Sequence, residues 1–164
     1  MSSDSITMIY VDMDGVIANF NKRYIDKFGV TPEETRHKKS FSENFKKFID
    51  DREFANLELM PDAQLLFSFL NSRSNIPKEI LSSTAREDSH VAISEQKHEW
   101  LKKHNINYKE NFVPGKSLKA QYATPTSILI DDTISVIDAW DKAGGIGILH
   151  KNAVSTLAIL SMYV

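Results

Sequence analysis

The chain has 164 residues, 41% hydrophobic and 26% charged, with a formal net charge of −2. That fits one globular domain, or one domain with a small insertion, and the near balance of charge excludes a global attraction to DNA, RNA or an anionic membrane. There are no cysteines, which excludes disulfides, thiolate zinc centres and cysteine nucleophiles.

The opening stretch, MSSDSITMIYV, has neither a basic start nor a long apolar region, and no run approaches the roughly 18 apolar residues of a membrane span. The expectation is a cytoplasmic protein with no membrane partner. Residues 6–11 are short, apolar and β-rich and read as a buried strand. Residues 16–28 have helical spacing up to Gly29. Thr31-Pro32-Glu33-Glu34 reads as a helix start, with an N-cap candidate, proline at the first position and acids in the first turn. From there to about Leu59 the chain is polar with scattered phenylalanines, and short helices without a strand are expected. Residues 61–70 read as a helix, 79–82 as a second strand and 91–104 as an amphipathic helix. In that helix Lys97, His98, Lys102, Lys103 and His104 read as a solvated basic face. Residues 127–130 are a third buried strand, 133–143 a helix stopped by Gly144-Gly145, 146–149 a fourth strand and 153–162 a closing helix.

Short strands alternating with longer helices predict an α/β fold, a Rossmann-like parallel sheet flanked by helices. The polar stretch that interrupts the alternation predicts a small helical cap over residues 19–58, inserted into a core of residues 1–18 and 59–164. In such a sheet ligands bind at the carboxyl ends of the strands. Three predicted strands end in reactive polar residues: Asp12-Met13-Asp14, Ser82-Ser83-Thr84 and Asp131-Asp132. Carboxylates crowded on one edge repel one another. A hard divalent cation resolves this, and oxygen ligands without Cys or His suit Mg²⁺. One carboxylate beside such a cation could attack a phosphoryl group, and a second, two residues on, could serve as general acid.

Four stretches in this order resemble the haloacid dehalogenase (HAD) superfamily of phosphohydrolases: DMDGV after a buried strand, ILSST, the lysine-bearing VPGKSLKA, and SILIDD. Within it, YVDMDGVIANF, FANLELMPDA and EQKHEWLKKH are similar to the 5'(3')-deoxyribonucleotidases. The resemblance implies that Asp12 is the nucleophile, forming an aspartyl-phosphate. Asp14 would be the acid and then the base, and would lend its backbone carbonyl to Mg²⁺. Ser83, with Thr84 beside it, would bind the transferring phosphoryl group. Lys116 would neutralise Asp12 and the phosphate, with Lys119 as the alternative three residues on. Asp131 and Asp132 would complete the metal site with Asp12 and Asp14, and Phe20 would lie against the nucleobase.

The implied substrate is a small phosphomonoester, a nucleoside 5'- or 3'-monophosphate, with nucleic acid not expected as a partner and a homodimer left open. The insertion is short and lacks tryptophan, and Arg86-Glu87-Asp88 departs from the family pattern. Two other readings therefore stay open: a HAD phosphatase for a sugar phosphate or a polynucleotide 3'-phosphate, and a non-catalytic binding module on the same fold.

Overall fold

The structure, a computed structural model, describes residues 5–164. Residues 1–4, part of the opening stretch read as lacking a signal peptide, lie outside the described residues. Strands β1 (Met8–Val11), β2 (Lys78–Ser83), β3 (Lys109–Val113), β4 (Ser127–Asp131) and β5 (Ile146–Leu149) form one sheet in the order β3-β2-β1-β4-β5. Every neighbouring pair is parallel. The central strands β1 and β4 are apolar on both faces, with Ile9, Val11, Ile128, Leu129 and Ile130 fully buried, as expected of parallel strands covered by helices on both sides.

β3 was not expected. Its sequence, KENFV, has no clear apolar alternation, and it is an edge strand with Lys109 exposed. Tertiary pairing specifies it instead: Asn111 donates through Nδ2 to Glu79 Oε1 and to the Ile80 carbonyl, both at 2.9 Å.

The helices are α1 (Phe20–Phe28), α2 (Pro32–Thr35), α3 (Lys39–Asp50), α4 (Ala63–Ser72), α5 (His90–Lys103), α6 (Ile134–Lys142) and α7 (Ala153–Leu160). α1 begins four residues later than the apolar spacing predicts. The Met13 carbonyl accepts the N–H groups of Val16, Ile17 and Ala18 in a tight turn. The Asn19 side chain then accepts from the Lys22 amide and caps the helix, satisfying one of its free N–H groups. Gly29, at φ 74°, closes α1 in the left-handed conformation. Thr31 and Glu34 form a reciprocal capping box at α2.

The chain runs from β1 through β2 to β3 in one direction, then returns through β4 to β5 in the other. Right-handed crossovers therefore place their connections on opposite faces. One core unites Ile9, Val11, Ile80 and Ile130 with Leu66, Leu70, Trp100 and Leu160. The other unites Leu81, Leu129 and Val113 with Val136, Ile137 and Trp140. The direction reverses between β1 and β4, the switch point where α/β sheets open a crevice, and Asp12 follows directly on β1.

Between β1 and α4 the chain makes a helical excursion through α1, α2, α3 and a 3-10 turn, Glu53–Ala55. It leaves and returns side by side: Asn19 N–H donates to the Glu58 carbonyl and Met60 N–H to the Ile17 carbonyl, each at 2.8 Å. Phe48, Tyr24 and Phe54 are buried in it. Phe20 stacks on Phe54, with centroids 5.6 Å apart and planes 9° apart. Phe41 stacks on Phe45. Glu53, itself buried, ties the turn to α1 through Arg23 and Lys27, and the hydrogen bond from Arg23 holds its carboxyl below the usual carboxylate range.

Candidate active site

Strand register brings the predicted residues to one edge. Val11 pairs with Ile130 on one side and Ile80 on the other, so the residues after β1, β2 and β4 emerge at the same level. Asp12 N–H continues the ladder, donating to the Ile130 carbonyl at 3.0 Å. Asp12, Asp131 and Asp132 each present a carboxylate oxygen within 4.8 Å of the others. Gly15, at φ 84°, passes against Asp132 so closely that a Cβ there would overlap its carboxylate. Only glycine satisfies both the left-handed backbone and that approach.

The lysine that reaches this cluster is Lys119, not Lys116. Lys116 is exposed. Lys119, 3% exposed, donates to Asp12 Oδ1 at 2.9 Å and Asp131 Oδ2 at 2.7 Å. The 3-10 segment Lys116–Tyr122 explains the ambiguity. With three residues per turn, positions 116 and 119 lie on one face, about 6 Å apart along the axis. Burial works against the Lys119 charge, but Asp12 and Asp131 outweigh it and hold the ammonium above its ordinary value.

The hydroxyls at the end of β2 also divide. Side chains alternate along a strand, so Ser82 and Thr84 share one face and Ser83 takes the other. Thr84 is fully buried, its Oγ1 bonded to His90 Nδ1 at 2.7 Å and to the Val113 carbonyl at 3.2 Å. This corrects the expectation for Thr84, whose hydroxyl is committed to the interior. Ser83 Oγ accepts only from Ala85 N–H, at 3.1 Å, and is the hydroxyl left for a ligand. Ala85 itself sits at φ 73°, an unusual conformation for a residue with a Cβ.

A second buried lysine was read as part of a solvated face. Lys97 is 1% exposed and donates to Asp14 Oδ2 at 3.0 Å, Ser82 Oγ at 2.7 Å and the Ser83 carbonyl at 2.9 Å. The sequence did carry the signal. Position 97 lies on the stripe of Ile93, Trp100 and Leu101, all buried, at the i, i+4, i+7 and i+8 spacing of a helix's inner face. Asp14 is separate from the three-carboxylate group: Lys97 holds its Oδ2, and its Oδ1 is buried without a hydrogen-bond partner. Phe20 is half-buried within the aromatic cluster of the excursion. It reaches the site through Phe54, whose ring centroid lies 5.4 Å from Lys97 Nζ.

Counting Asp14 with its own partner Lys97, four carboxylates are thus offset by two ammonium groups, leaving two negative charges that a divalent cation would balance. Burial first, and then the Asp12 charge, push the Asp131 carboxyl up to about 6 against the pull of Lys119 and the Thr133 amide. Asp132 is pushed up to about 7 by burial of its carboxyl and then by Asp12, Asp131 and Asp14. The residue as a whole is open to solvent, so water moderates the first of those causes. An all-oxygen donor set at this spacing fits a hard cation such as Mg²⁺.

Residues 5–156 match the sequence model of the family described as "5' nucleotidase, deoxy (Pyrimidine), cytosolic type C protein". The chain belongs to this family. It is therefore a HAD-superfamily phosphatase close to the nucleotidases. The fold is shared with solved HAD-like hydrolases. A hydrolase from Streptococcus pneumoniae is 18% identical with a TM-score of 0.58, covering 96% of this chain and 100% of its own. A hydrolase from Pseudomonas syringae is 12% identical with a TM-score of 0.61, covering 96% and 99%. A putative HAD-hydrolase from Bacillus subtilis, bound to magnesium, is 13% identical with a TM-score of 0.57, covering 96% and 99%. A comparison with curated protein sequences finds no match. Among the described residues no helix is long and apolar enough to cross a membrane.

Proposed function

We propose that this nucleotidase-family chain hydrolyses (deoxy)nucleoside 5'- or 3'-monophosphates to nucleoside and phosphate through an aspartyl-phosphate on Asp12, with Mg²⁺ as cofactor and in a cytoplasmic setting. The observation that carries the reading is the division of the two carboxylates after β1 between two buried lysines, Asp12 with Lys119 and Asp14 with Lys97. Lys119 holds Asp12 Oδ1 and leaves Oδ2 to attack phosphorus. As that O–P bond forms, the bond from phosphorus to the ester oxygen breaks, and Asp14 protonates the departing alkoxide. Asp14 Oδ2 is committed to Lys97, so Oδ1 is the oxygen that carries this proton. In the second half, Asp14 takes a proton from water as the water oxygen attacks phosphorus, and the bond to Asp12 breaks to release phosphate. Lys119 and Ser83 Oγ steady the transferring group. Asp12, Asp131 and Asp132, with the Asp14 backbone carbonyl, would hold Mg²⁺, which when bound supplies charge neutralisation to the phosphoryl oxygens.

The excursion over residues 19–58 serves as a cap in this reading. Phe20, stacked on Phe54 beside Lys97, supports an aromatic leaving group, and the family description supports a nucleotide. The test is phosphate release with Mg²⁺ from dUMP, dTMP, UMP, a sugar phosphate and a 3'-phosphorylated oligonucleotide. Turnover of the nucleotides is expected to dominate, and Asp12→Asn is expected to lower it by about three orders of magnitude or more. Undiminished turnover in that variant would refute the assignment.

A further inference from the structure

α5 carries two adjacent buried polar residues with different targets. Gln96 is 2% exposed, and both ends of its amide are engaged by backbone groups of the cap. Its Oε1 accepts from Phe54 N–H at 3.2 Å, and its Nε2 donates to the Ile49 carbonyl at 2.9 Å. Lys97, about 100° further round the helix, turns to Asp14, Ser82 and Ser83. The same helix holds the cap backbone again further along. Trp100 Nε1 donates to the Leu57 carbonyl at 2.7 Å, and Lys103 Nζ donates to the Ala55 carbonyl at 3.0 Å. Arg52 adds exposed pairs with Glu95 and Glu99, which contribute little. Four main-chain groups of residues 49–57 are therefore fixed by one helix of the core.

We infer that Gln96 is a positioning residue that fixes the aromatic wall of the cap relative to Asp14, and that this spacing selects aromatic over small leaving groups. The inference rests on the phosphatase reading of the site and names a determinant of its specificity. A single residue step along a rigid helix separates the group that holds the Phe54 backbone from the group that holds the catalytic acid. Phe54 carries Phe20 on its face, so any shift of the Phe54 backbone moves the wall while Asp12, Lys119 and Ser83 stay on the sheet edge. Both amide bonds of Gln96 go to main-chain partners, so they set position without depending on a neighbouring rotamer.

The test uses Gln96→Met, which keeps length and helix propensity and removes both hydrogen bonds. Kinetics are measured on dTMP and on acetyl phosphate, and amide exchange is followed over residues 49–57. The expected result is a rise of about tenfold in KM for dTMP with kcat nearly unchanged, unaltered kcat/KM for acetyl phosphate, and faster exchange in 49–57 but not in β1. Trp100→Phe, which removes the bond to Leu57 together with part of a fully buried ring, is expected to speed exchange in 49–57 and raise KM for dTMP in the same direction, and it answers the question should the first variant fail to fold. A parallel loss on both phosphate donors, as a merely structural role would give, overturns the inference, as does unchanged exchange at Phe54. A wild-type protein inert on both donors sinks the phosphatase reading and the selectivity claim together. The exchange data then still decide whether the helix holds the cap.

Discussion

Lys119 lies between two carboxylates that would otherwise repel each other across the switch point of the sheet. Removing its charge costs twice, because Asp12 loses the partner that orients it and two buried acids are left facing one another. Lys119→Met is therefore expected to lower kcat roughly a hundredfold, while Lys116→Met, at an exposed position, leaves it unchanged. Steady-state rates on an aryl phosphate check both, and a loss confined to Lys116→Met would return the role to Lys116. The acids on the strand ends were legible because charge directly after an apolar run is costly without a purpose. The choice between Lys116 and Lys119, or Ser83 and Thr84, was not legible. Each pair differs in burial and orientation, which depend on how the segment meets the sheet. Lys97 is the instructive omission, since charge pattern suggested a solvated face while apolar spacing placed it inside.

At the scale of elements, local signals and tertiary ones separate cleanly. β1, β4 and β5 were readable from apolar runs, and the start of α2 from its N-cap candidate, its proline and the acids of its first turn. β3 was not, because an edge strand of mixed polarity is specified by its neighbour β2 rather than by its own residues. The start of α1 was misplaced because the turn closed on the Met13 carbonyl preserves apolar spacing while breaking the helix. The true start depends on Asn19, whose side chain caps Lys22 N–H at 3.2 Å. Asn19→Ala is expected to cost about 1 kcal/mol, seen as a lower urea midpoint with an unchanged slope. No loss at all would mean that tertiary packing alone sets where α1 begins.

At the scale of the whole molecule, the acids of the site come from the carboxyl ends of β1 and β4 and the residues just beyond them, and their mutual repulsion is a load on the sheet itself. Burial and the neighbouring acids push the Asp131 and Asp132 carboxyls up from the ordinary 3.8, to about 6 and about 7. Between about pH 4 and 7 the folded chain therefore keeps protons that the unfolded chain has lost, and stability falls as pH rises through that window. A divalent cation held by these acids would relieve the repulsion, so the rise in Tm on adding Mg²⁺ to EDTA-treated protein is expected to grow from about pH 5 to 7.5. Thermal melts at several pH values check this, and a rise that stays flat would mean that the ion binds away from these acids. The excursion over residues 19–58 has a different large-scale consequence. Its two ends are hydrogen-bonded neighbours, so its length is decoupled from the register of β1 against β4. Changes in the length of this segment are therefore not expected to disturb the strand register, provided they keep the short stretch that α5 grips. The scaffold is in this sense a socket, whose own strands keep their alignment whatever length of chain is seated between its two adjoining contacts.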